Sequence, residues 1–344
     1  MKNTIITLGL LIFLVANNSF AQVSHGKYII ANKIHLDGDG GWDYLTMDDL
    51  TSRLYISHGS IVQVLDVATR KLLGTITGTK GVHGIALANT LNKGFTSNSS
   101  DSSVTIFDLK TLQFLKNVKI TGEDPDAILF DPFSQRVFVF NRRSSNSTVI
   151  DANSNKVIKT IALSGRPEFS TCDLKGKVYV NIEDKNEICV INSQTLEVEH
   201  KWQITPGIRP SGMAIDIKNH RLFSVCDNEM MVVINSENGK VVSSVPIGKW
   251  PDGVAFDPIL ERIYTSNGEG TMTIIQEEKP NSFKVLENFP TQSRARTIAI
   301  NSKTQRIYLP VAEYGETPAP TSENPNPRQP IRPNTFTILE IVMK

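Results

Sequence analysis

The sequence predicts an all-β fold, a seven-bladed β-propeller closed by an N-terminal strand that completes the last blade. Three observations lead to this prediction. A unit of about 40 residues recurs seven times, each unit holds four strand-like runs separated by turn residues, and the last unit lacks its fourth run. Short strands at such regular spacing are typical of propeller blades.

Each unit opens on a strand-like run that often begins with proline. The seven runs begin at Trp42, Val82, Pro125, Pro167, Pro210, Pro251 and Ala295. Each run ends in Asp or Asn, and a basic residue follows a few positions later, as Arg53 follows Asp48. An acid at this position can accept hydrogen bonds from turn amides, and we expect the base to pair with it. Since the pair recurs in every unit, its predicted role is structural.

The seventh unit has only three such runs. Residues 28–34 have the composition of the missing outer strand, so we expect them to pair with the last run of the chain. This pairing would close the ring and cover an otherwise open sheet edge.

The net charge and the residue pattern at the N-terminus indicate where the protein is located. The 344 residues carry a net charge of +1, so no global field favours nucleic acid or a membrane surface. Lys2, an apolar run over residues 5–16 and small residues up to Ala21 fit a secretory signal. We expect a signal peptide at 1–21, a single propeller domain at 22–344, and a periplasmic or secreted protein without a later membrane span. A retained N-terminal anchor is the alternative.

The three cysteines, Cys172, Cys189 and Cys226, lie in apolar strand-like runs, and we expect them to be buried as small hydrophobic residues. No CxxC spacing indicates a structural zinc site, and no CxxCH motif indicates c-type haem. No cofactor is therefore predicted, and a metal ion is left as an alternative.

Several units carry closely similar motifs: RPSGMAID from Arg209, KWPDGVAFD from Lys249, RIYTSN from Arg262 and STVID from Ser147. In these motifs, over nearly all of the mature chain, the sequence resembles the YncE-like family with YVTN-type propeller repeats of about 40 residues. The resemblance implies a periplasmic or surface protein. Some relatives resemble nucleic-acid binders, and related propellers occur in redox enzymes, but a shared fold does not transfer function.

The residues that differ between units are the candidates for function. In a four-stranded blade, the start of strand one and the loop between strands two and three lie on one face, around the mouth of the central channel. The variable residue at the start of strand one predicts a ring at this mouth, made of Asp43, His83, Asp126, Glu168, Ser211, Asp252 and Arg296. Clustered carboxylates could hold a cation or have raised pKa values. A solvated polar funnel is the structural alternative.

Arginine and tryptophan residues fall on the same predicted face. They are Arg142, Arg166, Arg209, Trp42 and Trp250. Arginine beside an exposed aromatic ring suits an anionic small molecule, a glycan or single-stranded nucleic acid. Scattered surface charges with packed tryptophans are the alternative interpretation. We therefore expect a non-catalytic binding propeller whose ligand or protein partner binds at the mouth.

Three other functional hypotheses remain open. His58 and His83 could lie close together and, with a carboxylate, bind a metal ion, although no metal set is complete in the sequence. His83 and mouth carboxylates could also serve a lyase or hydrolase, with or without a metal. The sequence lacks GxSxG and HExxH motifs. The remaining hypothesis is a scaffold that acts only through protein contacts.

The last unit carries the longest predicted loop, at about residues 312–334, with six prolines. Prolines favour extended segments. We expect this loop to act as a lid over the channel or as a docking strand for a protein partner, and a mobile loop without a partner is the alternative.

Overall fold

The computed structural model describes residues 26–344. These residues form seven antiparallel sheets of four strands each. The first strand of each blade contacts the first strand of the next, and the first strand of blade seven contacts that of blade one. The sheets therefore form a closed ring, which confirms the predicted seven-bladed β-propeller. The predicted signal peptide, residues 1–21, lies outside the described residues.

The first strand of the chain, β1, spans Tyr28–His35 and belongs to blade seven. Blade one contains β2 to β5: Trp42–Asp48, Arg53–His58, Ile61–Asp66 and Lys71–Ile76. Blade two contains β6 to β9: Val82–Ala88, Lys93–Asn98, Ser103–Asp108 and Phe114–Lys119. Blade three contains β10 to β13: Pro125–Asp131, Arg136–Asn141, Asn146–Asp151 and Lys156–Ala162. Blade four contains β14 to β17: Pro167–Cys172, Lys177–Ile182, Glu187–Asn192 and Glu197–Gln203.

Blade five contains β18 to β21: Pro210–Asp216, Arg221–Cys226, Met230–Asn235 and Val241–Pro246. Blade six contains β22 to β25: Pro251–Asp257, Arg262–Asn267, Thr271–Lys279 and Ser282–Pro290. Blade seven contains β26 to β28, at Ala299–Asn301, Arg306–Val311 and Thr337–Met343, together with β1. Three short 3-10 helices occur in loops, at Asn89–Leu91, Ser99–Asp101 and Glu183–Lys185.

Burial follows strand position within each blade. The second strands are rich in β-branched and aromatic residues and are buried along most of their length, as β3 and β15 show. Outer strands such as β13 expose most of their residues. Buried apolar side chains form separate clusters, as where β8 and β11 contribute to one core. The hydrophobic core is therefore distributed around the ring, between blades, and leaves the axis for other side chains.

Ring closure takes place as predicted. Strand β1 pairs antiparallel with β28, from Tyr28 opposite Met343 to His35 opposite Thr337. The N-terminal segment thus supplies the outer strand of blade seven and covers the edge that β28 would otherwise expose.

The acid and the base that recur at the first hairpin of each blade form different kinds of hydrogen bond. The acid accepts bonds from turn amides as expected, for example Asp48 from Leu50 N. The base reaches the next blade instead: Arg53 donates to the Leu109 carbonyl (2.6 Å) and Lys93 to the Ala152 carbonyl (2.8 Å). The expected pairing of base with acid is therefore wrong at these positions. The extended side chain reaches a backbone carbonyl of the adjacent blade and thereby links successive blades.

All three cysteines are buried free thiols, as expected for small hydrophobic residues. Within residues 26–344, the structure has no helix of the length and apolar character that crossing a membrane requires.

Candidate ligand site at the channel mouth

Two backbone features aim side chains at the channel mouth. The pairing of strand one with strand two shifts register at its mouth end in six blades, for example between Pro125 and Ile128. Such a bulge leaves residues outside the regular alternation and redirects their side chains. In these six blades the variable residue sits in this bulge, directly after the first residue of the strand, whereas Arg296 of blade seven precedes its strand, which begins at Ala299.

A second set of residues reaches the mouth from the loop after strand two. In three blades, Ser99, Arg142 and Glu183 each donate a backbone hydrogen bond of 2.9 Å to the residue that precedes strand one. This bond fixes the loop beside the bulge. The predicted ring is therefore accompanied by a second ring, whose charged members are Arg142, Glu183 and Asp227.

The two rings form a continuous ion-pair network across blades one to four. His83 Nδ1 lies 2.6 Å from Asp43 Oδ2 and 3.5 Å from Asp126 Oδ1. Arg142 continues the chain, with Nε 3.3 Å from Asp126 Oδ2 and Nη2 3.0 Å from Glu168 Oε1. The structure thus brings five of the predicted residues together, and their role in ligand binding stays a prediction.

Glu183 is the centre of the next part of the network. Arg166 Nε lies 2.7 Å from Glu183 Oε2, and Arg209 donates to Glu183 Oε1. Arg209 also bonds Asp227 Oδ2 through Nε at 2.8 Å. The arginines expected to bind an anion are therefore already paired with carboxylates.

Asp252 and Arg296 form a separate pair on the far side of the mouth, with Arg296 Nε 3.7 Å from Asp252 Oδ2. In total, six mouth carboxylates face four guanidinium groups. The carboxylates are Asp43, Asp126, Glu168, Glu183, Asp227 and Asp252, and the guanidinium groups are those of Arg142, Arg166, Arg209 and Arg296. The mouth thus has an excess of acidic groups.

Burial perturbs several of these acids. It raises the pKa of Asp126, and the charge of Asp43 raises it further, although His83 and Arg142 oppose the rise. Burial likewise raises the pKa of Glu168, and it raises the pKa of Asp252 to about 6 despite Arg296. Burial by itself lowers the pKa of His83, but the hydrogen bond with Asp43 and the charge of Asp126 outweigh it, so that this pKa is raised. Such perturbed groups cluster at functional sites.

Two aromatic rings meet beneath the charged residues. Tyr44 follows Asp43 on blade one, Phe169 follows Glu168 on blade four, and their ring centroids lie 4.3 Å apart. Burial, followed by the charges of nearby carboxylates, raises the pKa of Tyr44 well above its ordinary value. The two rings come from blades one and four and contact each other. We call the pair Tyr44 and Phe169 the aromatic floor of the mouth.

Two predicted site residues are placed elsewhere. Trp42 is 7% exposed and packs against Phe336 and Tyr314, so the expectation that it offers an exposed stacking face is wrong. His58 is buried, with Nδ1 3.0 Å from Gln63 Oε1 and its ring against Phe336. It is not part of the group that Asp43, His83 and Asp126 form. Both side chains are buried against Phe336, which directly precedes β28 at the end of the long connection in blade seven.

The Trp250 side chain is exposed (69%), and its role in ligand binding stays a prediction. Arg209 in the neighbouring blade is about half exposed. Trp250 is thus an accessible aromatic side chain of the mouth face, and Arg209 and Arg296 are its most exposed paired guanidinium groups, at 52% and 49%.

The proline-rich loop packs against the rim of blades seven and one. Arg294 lies 3.9 Å above the centre of the Tyr314 ring and donates to Gln329 Oε1 at 2.7 Å. Residues 329–333 face residues 38–41 across a cleft of about 370 Å³, which has His58 at its wall. The loop is thus rooted at the mouth face, and its action as a lid or docking strand stays a prediction.

Sequence reasoning missed Glu183, Asp227, Ser99, Tyr44 and Phe169. The first three occupy the position directly after strand two, so the same alignment that found the first ring could have found the second. The two aromatic residues follow the variable acid by one position, but nothing in the sequence shows that blades one and four face each other across the axis.

No family model matches the chain. Antigen Lp49 of Leptospira interrogans is 25% identical over 186 residues, which cover 51% of this chain and 40% of the antigen. Proteins named YncE and described as uncharacterized, from Salmonella typhi and Salmonella typhimurium, are 24% identical over 187 residues, 52% of this chain and 52% of each relative. The matched region spans about half the length of these curated relatives.

Solved structures share the fold. A chain of Kuenenia stuttgartiensis hydrazine synthase aligns with a TM-score of 0.69 and 18% identity, covering 82% of this chain and 96% of that chain. U3-55K aligns with a TM-score of 0.74 and 11% identity, covering 90% of this chain and 98% of that chain. At such identities the likeness is one of fold alone. Together, the seven-sheet ring and these matches show a seven-bladed β-propeller whose sequence is similar to YncE and antigen Lp49.

Proposed function

We propose that the protein is an exported, non-catalytic binding propeller whose ligand or partner binds at the channel mouth. The observation that carries the proposal is the convergence of two rings of charged side chains above an aromatic floor. Export to the periplasm or beyond is supported by the signal-like pattern of residues 1–21. The absence of GxSxG and HExxH motifs from the sequence supports a binding role over these hydrolytic chemistries.

Stability alone does not account for the mouth network. Buried ion pairs cost desolvation energy, and apolar residues of similar size often replace them without loss of stability. Asp126 Oδ1 and Arg142 Nε lie within ion-pair distance of opposite charges, yet both atoms are buried without a hydrogen-bond partner in the described part of the chain. A buried charged atom without a hydrogen-bond partner is costly for the free protein, and a ligand or ion that supplied the partner would remove that cost.

The charge distribution indicates which kind of ligand fits. Because the mouth arginines are already paired with carboxylates, a long polyanion such as single-stranded DNA would have to displace these pairs to reach a guanidinium group. A glycan or a protein segment of mixed charge can donate to the carboxylates and still place an anionic or planar group beside Arg209 and Trp250. The mouth therefore favours a polar ligand of mixed charge.

The test compares three probes at low salt, where electrostatic binding is tightest. We would titrate the protein with a peptide of alternating Lys and Glu, with a neutral oligosaccharide and with oligothymidine. The mixed-charge peptide is expected to bind best, and the double variant Glu183→Gln/Arg209→Gln to weaken it by roughly tenfold, because charged hydrogen bonds contribute about 1.5–3 kcal/mol each.

A matched control is the exposed pair Lys218 and Glu261, whose Nζ–Oε1 distance is 2.7 Å. Lys218 lies in a turn between strands one and two, at the opposite end of the blades from the mouth. The double variant Lys218→Gln/Glu261→Gln should bind all probes as the parent does. Failure of every probe at low salt, or equal loss in both double variants, would contradict the proposal.

A further inference from the structure

One sector of the mouth brings together three groups that are metal ligands elsewhere in proteins. An imidazole nitrogen of His83 and one carboxylate oxygen each from Asp43 and Asp126 all lie within 4.8 Å of one another. They come from the equivalent position of three consecutive blades, so the bulges of blades one to three aim them at a common point. We propose that Asp43, His83 and Asp126 bind a divalent transition-metal ion of the zinc class.

Hydrogen bonds on the far side of the imidazole fix which nitrogen faces the acids. Ser99 Oγ lies 3.1 Å from the Gly81 carbonyl and 3.1 Å from His83 Nε2. A carbonyl can only accept, so the Ser99 hydroxyl donates to Gly81, and its lone pair accepts from Nε2–H. Nε2 therefore carries a proton, and Nδ1 points at two carboxylates. A metal-bound histidine is oriented in the same way, by donation from its other nitrogen.

The Asp43 and Asp126 carboxylates require a positive charge between their oxygens and His83 Nδ1. With Nε2 protonated, a neutral imidazole would direct its Nδ1 lone pair at carboxylate oxygens 2.6 and 3.5 Å away. Either a second proton or a metal ion can occupy the space between them. A divalent ion would balance both carboxylates, whereas a proton balances one.

Asp126 supplies an independent sign of a missing partner. Its side chain is 6% exposed, and its two oxygens face different groups. Oδ2 lies 3.3 Å from Arg142 Nε, whereas Oδ1 points toward His83 and is buried without a hydrogen-bond partner in residues 26–344. A buried carboxylate oxygen in that position is costly unless a cation or donor meets it.

The two separations from His83 Nδ1 are near those of a tetrahedral site, and the Asp43 and Asp126 oxygens lie within 4.8 Å of each other. Zinc bonds of about 2.0–2.2 Å place neighbouring ligand atoms about 3.4 Å apart. The separation of His83 Nδ1 from Asp126 Oδ1, 3.5 Å, already fits, and Asp43 Oδ2 at 2.6 Å would need to move back by less than 1 Å. Asp43 is the more exposed of the two carboxylates, so its side chain can make that movement.

The ligand types select the metal class. An imidazole with two carboxylates suits zinc and similar transition metals, whereas Mg²⁺ and Ca²⁺ prefer sets of oxygen atoms alone. Three protein ligands leave a fourth position open. That position faces the mouth, because His83 and Asp43 are partly exposed there. The inference rests on the proposed function in one respect, since the ion would form part of the same mouth site.

The experiment is calorimetric titration of tag-free, chelator-treated protein with ZnCl₂, with MgCl₂ as the comparison ion. We expect one zinc per chain with a Kd of about 1 μM or below, and no saturable binding of Mg²⁺. Co²⁺ in place of zinc should give the visible absorption of a tetrahedral site with nitrogen and oxygen ligands. Asp126→Asn and, separately, His83→Gln should each weaken zinc at least tenfold.

A matched control is His35, which forms an exposed pair with Asp37 (3.2 Å) and does not belong to the three-residue group. His35→Gln should leave zinc binding unchanged. Thermal melts of each apo variant show whether it is folded. If Asp126→Asn does not fold, His83→Gln provides the test instead. Zinc binding that is absent, or equal in the parent and in a folded mouth variant, overturns the inference.

The same samples separate this inference from the proposed function. If zinc does not bind but the mixed-charge peptide still depends on Glu183 and Arg209, the metal inference fails alone. If zinc binds to Asp43, His83 and Asp126 but no probe binds with or without it, the proposed ligand site fails alone.

Discussion

Glu340 joins the closing blade to the first blade. Its buried carboxylate lies on β28, with Oε2 accepting from Arg70 Nε at 2.7 Å and from Asn32 Nδ2 at 2.5 Å. Oε1 accepts from Arg306 Nη1. Asn32 belongs to β1, Arg306 is the first residue of β27, the other neighbour of β28, and Arg70 comes from the turn before β5 of blade one. One side chain thus ties together the elements that complete the ring.

The expected cost of Glu340→Gln follows from this geometry. Breaking a fully buried ion pair costs about 3–5 kcal/mol, because the remaining charge is left without a partner. Arg70 and Arg306 are each about a third exposed, so water recovers part of that cost. We therefore expect a loss of about 2–3 kcal/mol, which corresponds to a fall in Tm of about 3–4 °C for a chain of this size.

Thermal unfolding followed by circular dichroism measures this change. The control is Glu313→Gln, which removes a carboxylate 3.6 Å from Arg332 in an exposed pair. Exposed pairs contribute about 0–1 kcal/mol, so this variant should melt within about 1 °C of the parent.

The pH dependence gives a second check on Glu340. Burial alone would raise the pKa of Glu340, but hydrogen bonds from Arg70, Arg306 and Asn32 outweigh it and lower this pKa below 4.5. The ionised carboxylate therefore contributes stability that is fully present above pH 4.5 and is lost as the pH falls through the folded-state pKa. The Tm difference between parent and Glu340→Gln should narrow in acid. A loss no larger than that of Glu313→Gln, or a difference that persists unchanged in acid, would refute the reasoning.

Three further outcomes follow from the structure. Deletion of residues 27–36 removes β1 and exposes the edge of β28, so the truncated chain should melt well below the parent, and equal Tm values would count against closure by β1. Burial, followed by the charges of Asp216 and Glu261, raises the pKa of Glu277 to about 7. Stability from this group is therefore lost as the pH rises from 4.5 to 7. Glu277→Gln should then raise Tm at pH 8 but not at pH 4, and a gain equal at both would contradict this cause. Burial raises the pKa of all three cysteine thiols to about 12, so a thiol reagent at pH 8 should label none in the native protein and all three in urea. Rapid native labelling would show that a thiol is accessible.

The fold was predictable because its signals are local and repeated. Each blade carries its own turn residues, its own alternation and its own strand-one opening, so seven copies specify seven similar sheets. The match of residues 28–34 to a missing outer strand could be found by the same comparison, and the pairing of β1 with β28 confirms it.

The candidate site was predictable only in part. The equivalent position in each unit identified Asp43, His83 and Asp126 as neighbours, because equivalent positions in successive blades are adjacent around the ring. The exposure of Trp42 was mispredicted, since its environment is set by Phe336, which lies almost the whole chain length away. Periodicity carries no information on such a contact.

What the sequence determined by itself, then, is the number of blades, the four-stranded plan and the closure of the ring, since each depends on patterns within about 40 residues or on their recurrence. Only the tertiary structure decided that Arg142 and Arg209 are paired with acids, that Tyr44 meets Phe169 across the axis, and that Asp126 Oδ1 is left without a hydrogen-bond partner. Pairing and burial depend on distances between side chains of different blades, and those distances exist only once the ring has closed.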